Sequence, residues 1–180
     1  MRHRVCGLLS VMCAVVSLAR GQATQPLTVE WIYGPEAARL TALPSFLWTG
    51  DDRLVLGTGR GPSGRIEILD PSTGARSPLV DTEKARKGLA ALLGDAAPAT
   101  VPFPSEIDPA GRTGLYVLGG DIFLLDLSSA SWTRVTSTAE KEINVRFSPD
   151  GRKIAFVRAR DLYLYDTERK AETRWSDPLR

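Results

Sequence analysis

FSPDGRKIAFVRARDLYLYD, Phe147 to Asp166, is the stretch whose reading decides the fold. Pro149 presets φ for the first corner position, and Gly151 accepts the left-handed conformation that closes a hairpin. Phe147 before the turn alternates with Ile154 and Phe156 after it, so one face of the paired strands is apolar. A second corner follows Arg158. The branched and aromatic run DLYLYD then forms another strand, and its closing Asp166 can accept from backbone N–H groups of the next turn. The stretch reads as strand, turn, strand, tight corner, strand.

The same pattern occurs earlier. DPAGRT (Asp108 to Thr113) followed by LYVLG, then DIFLLD (Asp121 to Asp126), repeats it. Gly111 to Gly151, Asp121 to Asp161 and Asp126 to Asp166 are each separated by 40 residues. A third copy starts at TGDDR (Thr49 to Arg53), continues as LVLGT and reaches RIEILD (Arg65 to Asp70). A period near 40 with about four short strands per unit is the signature of β-propeller blades. The predicted fold class is all-β: a partial β-propeller of about three blades of antiparallel strands, with one helical insertion. Asp70, Asp126 and Asp166 are assigned corner roles; DPSTG is the full turn form, and DLSSA and DTERK are degenerate copies.

Asp70 to Asp126 is 56 residues, about 16 more than the period. DTEKARKGLAALLGDAA, residues 81–97, accounts for the excess as a helix inserted between blades. Leu89, Leu92 and Leu93 share its predicted face, Thr82 is its predicted cap and Gly94 its end. EKARK (Glu83 to Lys87) is its solvated face. APATVPFP (Ala97 to Pro104) leads back in extended form. Trp31, Trp48, Trp132 and Trp175 are placed at strand-like positions and assigned to blade packing.

The leader has its own logic. MRHR is basic, VCGLLSVMCAVVSLA is apolar but short for a bilayer span, and Gly21 and Ala23 suit cleavage after Ala23. The expected organisation is a signal peptide over 1–23 and the partial propeller over 24–180; an uncleaved anchor is the alternative, and no cysteine sits in a lipobox. The chain is expected to be exported, to the periplasm or beyond the cell, with no stable membrane span after cleavage. Arg2, Arg4 and Arg20 carry the net +2 of the 180 residues; without residues 1–23, 20 Lys and Arg face 21 Asp and Glu. No dense basic face argues for nucleic acid.

Cys6, Cys13 and the single histidine, His3, all lie in that leader. The remaining chain therefore has no thiolate or imidazole with which to build a metal site, a cysteine nucleophile or a Ser-His-Asp triad. GRGPSG (Gly59 to Gly64) matches G-x-G-x-x-G by letter, but the strand RIEILD follows where a dinucleotide site needs a helix, and Pro62 lacks an N–H. Ser63 has no histidine partner. SPDG lacks the ligand density of a Ca²⁺ loop. A carboxylate-only glycosidase site on a propeller stays open in principle, with Glu67, Asp81, Glu106 and Glu140 as scattered acids that sequence cannot pair. No catalytic, cofactor-binding or metal-binding residue is assigned, and no cofactor is expected.

FSPDGRKIAFVRARDLYLYD resembles the blade repeat of the dipeptidyl peptidase IV N-terminal domain, in the prolyl oligopeptidase family of serine peptidases. TolB-like propellers share that signature. LTVEWIYGP (Leu27 to Pro35) with PSFLWTGDDRLVL (Pro44 to Leu56), and the helix-like DTEKARKGLAAL after SPLV, resemble bacterial members; the likeness runs over Leu27 to Thr173. It implies a propeller, typically eight-bladed, followed by an α/β-hydrolase domain carrying Ser, Asp and His, that removes N-terminal dipeptides, often Xaa-Pro. The Glu-rich segment that holds the substrate amine lies downstream of a blade such as DLYLYD, so no catalytic or amine-binding position maps onto these residues. TRWSDPLR departs from the usual continuation into a next blade, and a truncated or partial product is expected, inactive by itself. The implied partner is a peptide substrate of the full-length parent. An open set of three blades also exposes apolar faces and a strand edge through which copies could associate. The alternative function is a stand-alone exported TolB- or WD-like module that binds protein or peptide.

Overall fold

The computed structural model describes residues 28–35, 44–58 and 64–175, in two compact units, Met1–Ala42 and Leu43–Arg180. In the first, α1 (Val29–Ile32) is a single helical turn capped by Thr28, whose Oγ1 accepts from Trp31 N at 3.2 Å. Trp31 is thus helical, not strand-like; the local Thr28 cap stabilises a turn that the β-prone residues around it did not suggest. The leader, most of GRGPSG and the final five residues fall outside the described residues.

The second unit holds three four-stranded antiparallel sheets, each a simple meander. Blade 1 comprises β1 (Ser45–Trp48), β2 (Leu54–Thr58), β3 (Arg65–Leu69) and β4 (Arg76–Pro78). Blade 2 comprises β5 (Glu106–Ile107), β6 (Thr113–Leu118), β7 (Asp121–Asp126) and β8 (Ser131–Arg134). Blade 3 comprises β9 (Ile143–Phe147), β10 (Lys153–Arg158), β11 (Asp161–Asp166) and β12 (Ala171–Arg174). The registers are equivalent: Leu56 faces Glu67, Tyr116 faces Phe123 and Phe156 faces Tyr163.

Because side chains alternate across a strand, each blade has two faces. On blade 2, Tyr116, Phe123 and Leu125 pack with Val55 and Ile66 of blade 1. Its other face, with Leu115 and Ile122, packs with Val145, Ile154, Phe156 and Tyr165 of blade 3. Ile154, Phe156, Leu115 and Ile122 have no measurable exposure, and each such side chain contributes about 1.5–3 kcal/mol on burial.

The inserted helix, α2 (Thr82–Leu93), lies between β4 and β5 and packs on β8. Trp132 Nε1 donates to the Ala85 carbonyl at 2.8 Å, and its ring meets Tyr116 edge-on at 4.7 Å. Two sequence expectations shift here. Asp81, not Thr82, is the cap: its Oδ1 accepts from Lys84 N at 3.0 Å. Ala85 and Leu89 are buried and Leu93 packs against the core shared by blades 1 and 2, so of the three predicted leucines only Leu92 departs, being exposed. Gly94 ends the helix as expected, and Glu83 pairs with Arg86 and Lys87 on the solvated side. Trp48 and Trp175 are 62% and 68% exposed, so of the three tryptophans in this unit only Trp132 serves blade packing; the other two stand on faces that no described blade covers.

Candidate functional site

The corners carry most of the acids that looked site-like. Asp70 Oδ1 accepts from Ser72 N and Thr73 N, Asp126 Oδ1 from Ser128 N and Ser129 N, and Asp166 Oδ1 from Glu168 N and Arg169 N. The two degenerate turns keep this geometry even without the glycine. Gly74 has φ +71°, and Ala130 (+56°) and Lys170 (+52°) hold the same left-handed place in blades 2 and 3, a conformation disfavoured for residues with a Cβ. The first corners follow suit. Arg112 N and Thr113 N both donate to Asp108 Oδ1 at 2.6 Å, and Asp150 accepts from Ser148 Oγ and Arg152 N. Gly151 turns at φ +71°.

The first corners also converge. A Cβ on Gly50 would sit 2.2 Å from the Pro109 carbonyl oxygen, and one on Gly151 would sit 3.1 Å from the Pro109 ring. The turns at 49–53, 108–112 and 148–152 are therefore stacked side by side. Their strands converge with them: Glu106 on β5 accepts from Phe147 N of β9 at 2.8 Å and pairs with Arg146 at 3.2 Å. The first strands of blades 2 and 3 thus touch across the blade boundary.

Between blades 2 and 3, at this corner end, lies a groove of about 740 Å³ whose walls include Asp108, Arg112, Asp126, Thr133, Asp150 and Arg152. It is polar. Two of its acids are held low: the Ser128 hydroxyl and Ser129 backbone hold Asp126 down to about 2, and the Ser148 hydroxyl and Arg152 backbone lower Asp150. Asp51, Asp70 and Asp166 are lowered by the same kind of local hydrogen bond or ion pair. None of these five is poised as a general acid, which requires a raised pKa. The four scattered acids do not form a pair either. Glu67 sits with Arg76 on blade 1, Asp81 caps α2, Glu106 ties β5 to β9, and the Glu140 carbonyl accepts from Thr138. No group of three or more metal-ligating side chains occurs among the described residues.

One buried acid escaped sequence reasoning. Glu142, in the connection from β8 to β9, is 2% exposed. Its oxygens accept from Thr136 Oγ1 at 3.0 Å and Thr138 Oγ1 at 2.8 Å, and Arg158 Nη1 lies 3.4 Å away. Arg158 is also paired with Glu172 and lies 4.1 Å from the Tyr163 ring centroid. In sequence Glu142 looks no different from Glu140, and only its position in the blade linker hints at burial. The cluster clasps blade 2 to blade 3 and offers no open position for a ligand.

The repeats with these corners match a described family. Residues 109–178 match the Dipeptidyl peptidase IV (DPP IV) N-terminal region. That match spans blades 2 and 3, less than half of the chain. Solved structures share the fold of the unit. Dipeptidyl peptidase 4 of Porphyromonas gingivalis superposes with a TM-score of 0.57 at 17% identity, covering 85% of this chain and 22% of that one. The tricorn protease superposes at 0.51 with 15% identity, covering 72% and 12%. A curated relative, the protein TolB homolog of Chlorobium chlorochromatii, is 41% identical over 63 residues, 31% of this chain and 14% of the relative. The chain thus spans less than a quarter of each of these three proteins.

Proposed function

We propose that this chain supplies three blades of the N-terminal propeller of an exported DPP IV-like serine peptidase, and that it binds and positions peptide without catalysing cleavage itself. The observation that carries this reading is the match of residues 109–178 to the DPP IV N-terminal region. The geometry is consistent with it: the described acids are engaged in corners and clasps, and the groove between blades 2 and 3 offers hydrogen-bonding and charged walls but no nucleophile with its base. Export is supported by the basic and apolar leader that ends in small residues at Gly21 and Ala23. Residues 1–23 are assigned to the signal peptide and residues 24–180 to the propeller segment.

A stand-alone propeller module that binds protein or peptide is the second reading, favoured by the 41% identity to a TolB homolog over 63 residues. The two are separated in the source cells. An antibody raised against blades 2 and 3 should detect an exported polypeptide whose N-terminus is Thr24 and which also reacts with a fluorophosphonate serine-hydrolase probe. Detection only of a product no larger than 180 residues, unreactive to the probe, would overturn the first reading in favour of the second.

A further inference from the structure

Blade 2 meets blade 1 on one face and blade 3 on the other, and the two crevices differ at their corner end. Between blades 1 and 2 the crevice is apolar: Ile68 of β3, Ile107 of β5 and Leu127 after β7 pack against the shared core. Forty residues further on, Phe147 keeps the apolar character of Ile107, but Ala110 gives way to Asp150, Leu127 to Thr167 and Ser128 to Glu168. Those three polar residues help to line the open groove of about 740 Å³ between blades 2 and 3. Both walls of this groove are adjacent blades of the chain, so further blades beyond either one leave it in place.

The charge of the groove is uneven. Four acids and two arginines stand on its walls, and Arg152 lies 3.8 Å from Glu168, which leaves Asp108, Asp126 and Asp150 against Arg112. Each of these aspartates turns Oδ1 to its own corner, and its Oδ2 accepts from no described residue. Asp108 is the buried one of the three, at 9% exposure. Among the described residues, Trp31 Nε1 and Tyr116 Oη are the only fully buried side-chain atoms without a partner, so Asp108 Oδ2 is not sealed in. It lies beside Gly151 on the groove wall, where a Cβ would stand 3.9 Å from it. A buried carboxylate with one oxygen unpaired and open to a cavity favours a cationic partner. The aspartates do not gather round a single ion: no group of three metal-ligating side chains occurs among the described residues. Leu124 and Phe147, both half-buried, supply apolar lining beside them.

We propose that the groove between blades 2 and 3 binds a peptide segment through an arginine side chain. The guanidinium bonds the open Oδ2 of Asp108 and faces the carboxylates of Asp126 and Asp150. Its planar fork of donors suits carboxylates that are set apart, where a single ion would reach only one of them. Its methylene stem lies along Leu124 and Phe147, as long cationic side chains do on apolar surface. The groove is of the size of ligand sites, which run from roughly 300 to 1,000 Å³. This inference rests on the reading that the chain binds peptide and narrows it to arginine-bearing peptide. It holds equally for a peptidase propeller and for a stand-alone module.

The test is isothermal titration calorimetry on the full 180-residue chain. The probes are an acetylated, amidated Gly-Ala-Arg-Ala-Gly peptide and its citrulline twin, which has nearly the same shape and no charge. The arginine peptide is expected to bind with a Kd of roughly 0.1–1 mM, and the citrulline peptide about tenfold more weakly. Asp108→Asn keeps the Oδ1 acceptor of the corner and removes the charge, so it should weaken the arginine peptide about fivefold or more, as should Asp126→Asn. Glu83→Gln makes the same charge change on α2, off the groove, and should leave the Kd unchanged. If Asp108→Asn loses its far-UV strand signal, Asp150→Asn takes its place. Equal affinity for the two peptides overturns the arginine anchor while peptide binding itself stands. No binding of the arginine peptide up to about 5 mM, aspartate variants that bind as the wild type does, or an equal loss in Glu83→Gln overturns the site. None of these results bears on the serine-hydrolase labelling that tests the parent enzyme.

Discussion

Removing the Glu142 carboxylate tests how blades 2 and 3 are held together. Glu142 is buried, accepts from two threonine hydroxyls at 3.0 and 2.8 Å, and lies 3.4 Å from Arg158. Glu142→Gln keeps the shape and one acceptor oxygen but aims an amide at a hydroxyl or at the guanidinium, and it removes the charge. Arg158 retains Glu172, so the guanidinium is not stranded. A lost charge-assisted hydrogen bond is worth about 1.5–3 kcal/mol; with Glu172 compensating, the loss expected for Glu142→Gln is about 1–2 kcal/mol. Glu142→Ala adds a small cavity, for about 2–4 kcal/mol in total. Thr136 still accepts from Ile122 N, and Thr138 can turn its one hydroxyl proton to the Glu140 carbonyl, which limits the loss on the blade 2 side. Urea unfolding gives the size, and native-state hydrogen exchange gives the place: protection should fall on β9 and β10 more than on β6 and β7. In a double-mutant cycle with Arg158→Met the two substitutions should couple by about 1 kcal/mol. A cost below about 0.5 kcal/mol for Glu142→Gln, within the range of ordinary surface changes, would refute the clasp, as would exchange that rises equally in all blades.

Other consequences follow from single residues. The β10–β11 corner forces Ala159 and Arg160 to φ +50° and +72°, where blade 2 uses Gly119 and Gly120; Ala159→Asn with Arg160→Gly should raise stability by about 1–2 kcal/mol in thermal unfolding. Tyr116 is buried with a hydroxyl that finds no partner among the described residues, and burial pushes its pKa up, so Tyr116→Phe should leave stability unchanged or raise it by about 1 kcal/mol. Asp126 has its folded pKa held near 2, below the ordinary carboxylate value. Its contribution is present above the unfolded pKa and is lost as pH falls through the folded one. That loss, at most about 1 kcal/mol for so exposed a group, should appear between about pH 4 and 2 and vanish in Asp126→Asn.

Much of the fold was legible because the repeat carries its own corners. Forty residues between Gly111 and Gly151, and the closing Asp126 and Asp166, mark two blades in one reading frame, and the third strand of blade 1 follows from RIEILD. The corner roles of the three aspartates were visible too, since a short side chain bonding its own turn is a local event. What depended on apposition was not. Glu142 and Glu140 sit in the same polar linker, and only the approach of Arg158 from another strand separates them. Glu106 looked like a loose acid and is instead the tie between first strands, 41 residues from its partner Phe147. Trp48 and Trp175 read as packing residues because their strands are blade strands; their exposure reflects which neighbours each blade has, and that is no property of the strand itself. Trp31 failed for the opposite reason, a local cap at Thr28 overriding the β-prone sequence around it.

The central claim is that these residues build blades and bind, with no chemistry of their own. The most direct measurement is hydrolysis of an Xaa-Pro p-nitroanilide by the purified 180-residue chain. The account predicts no release of p-nitroaniline above a boiled control. Release that a substitution at any serine or carboxylate of this chain abolishes would contradict it.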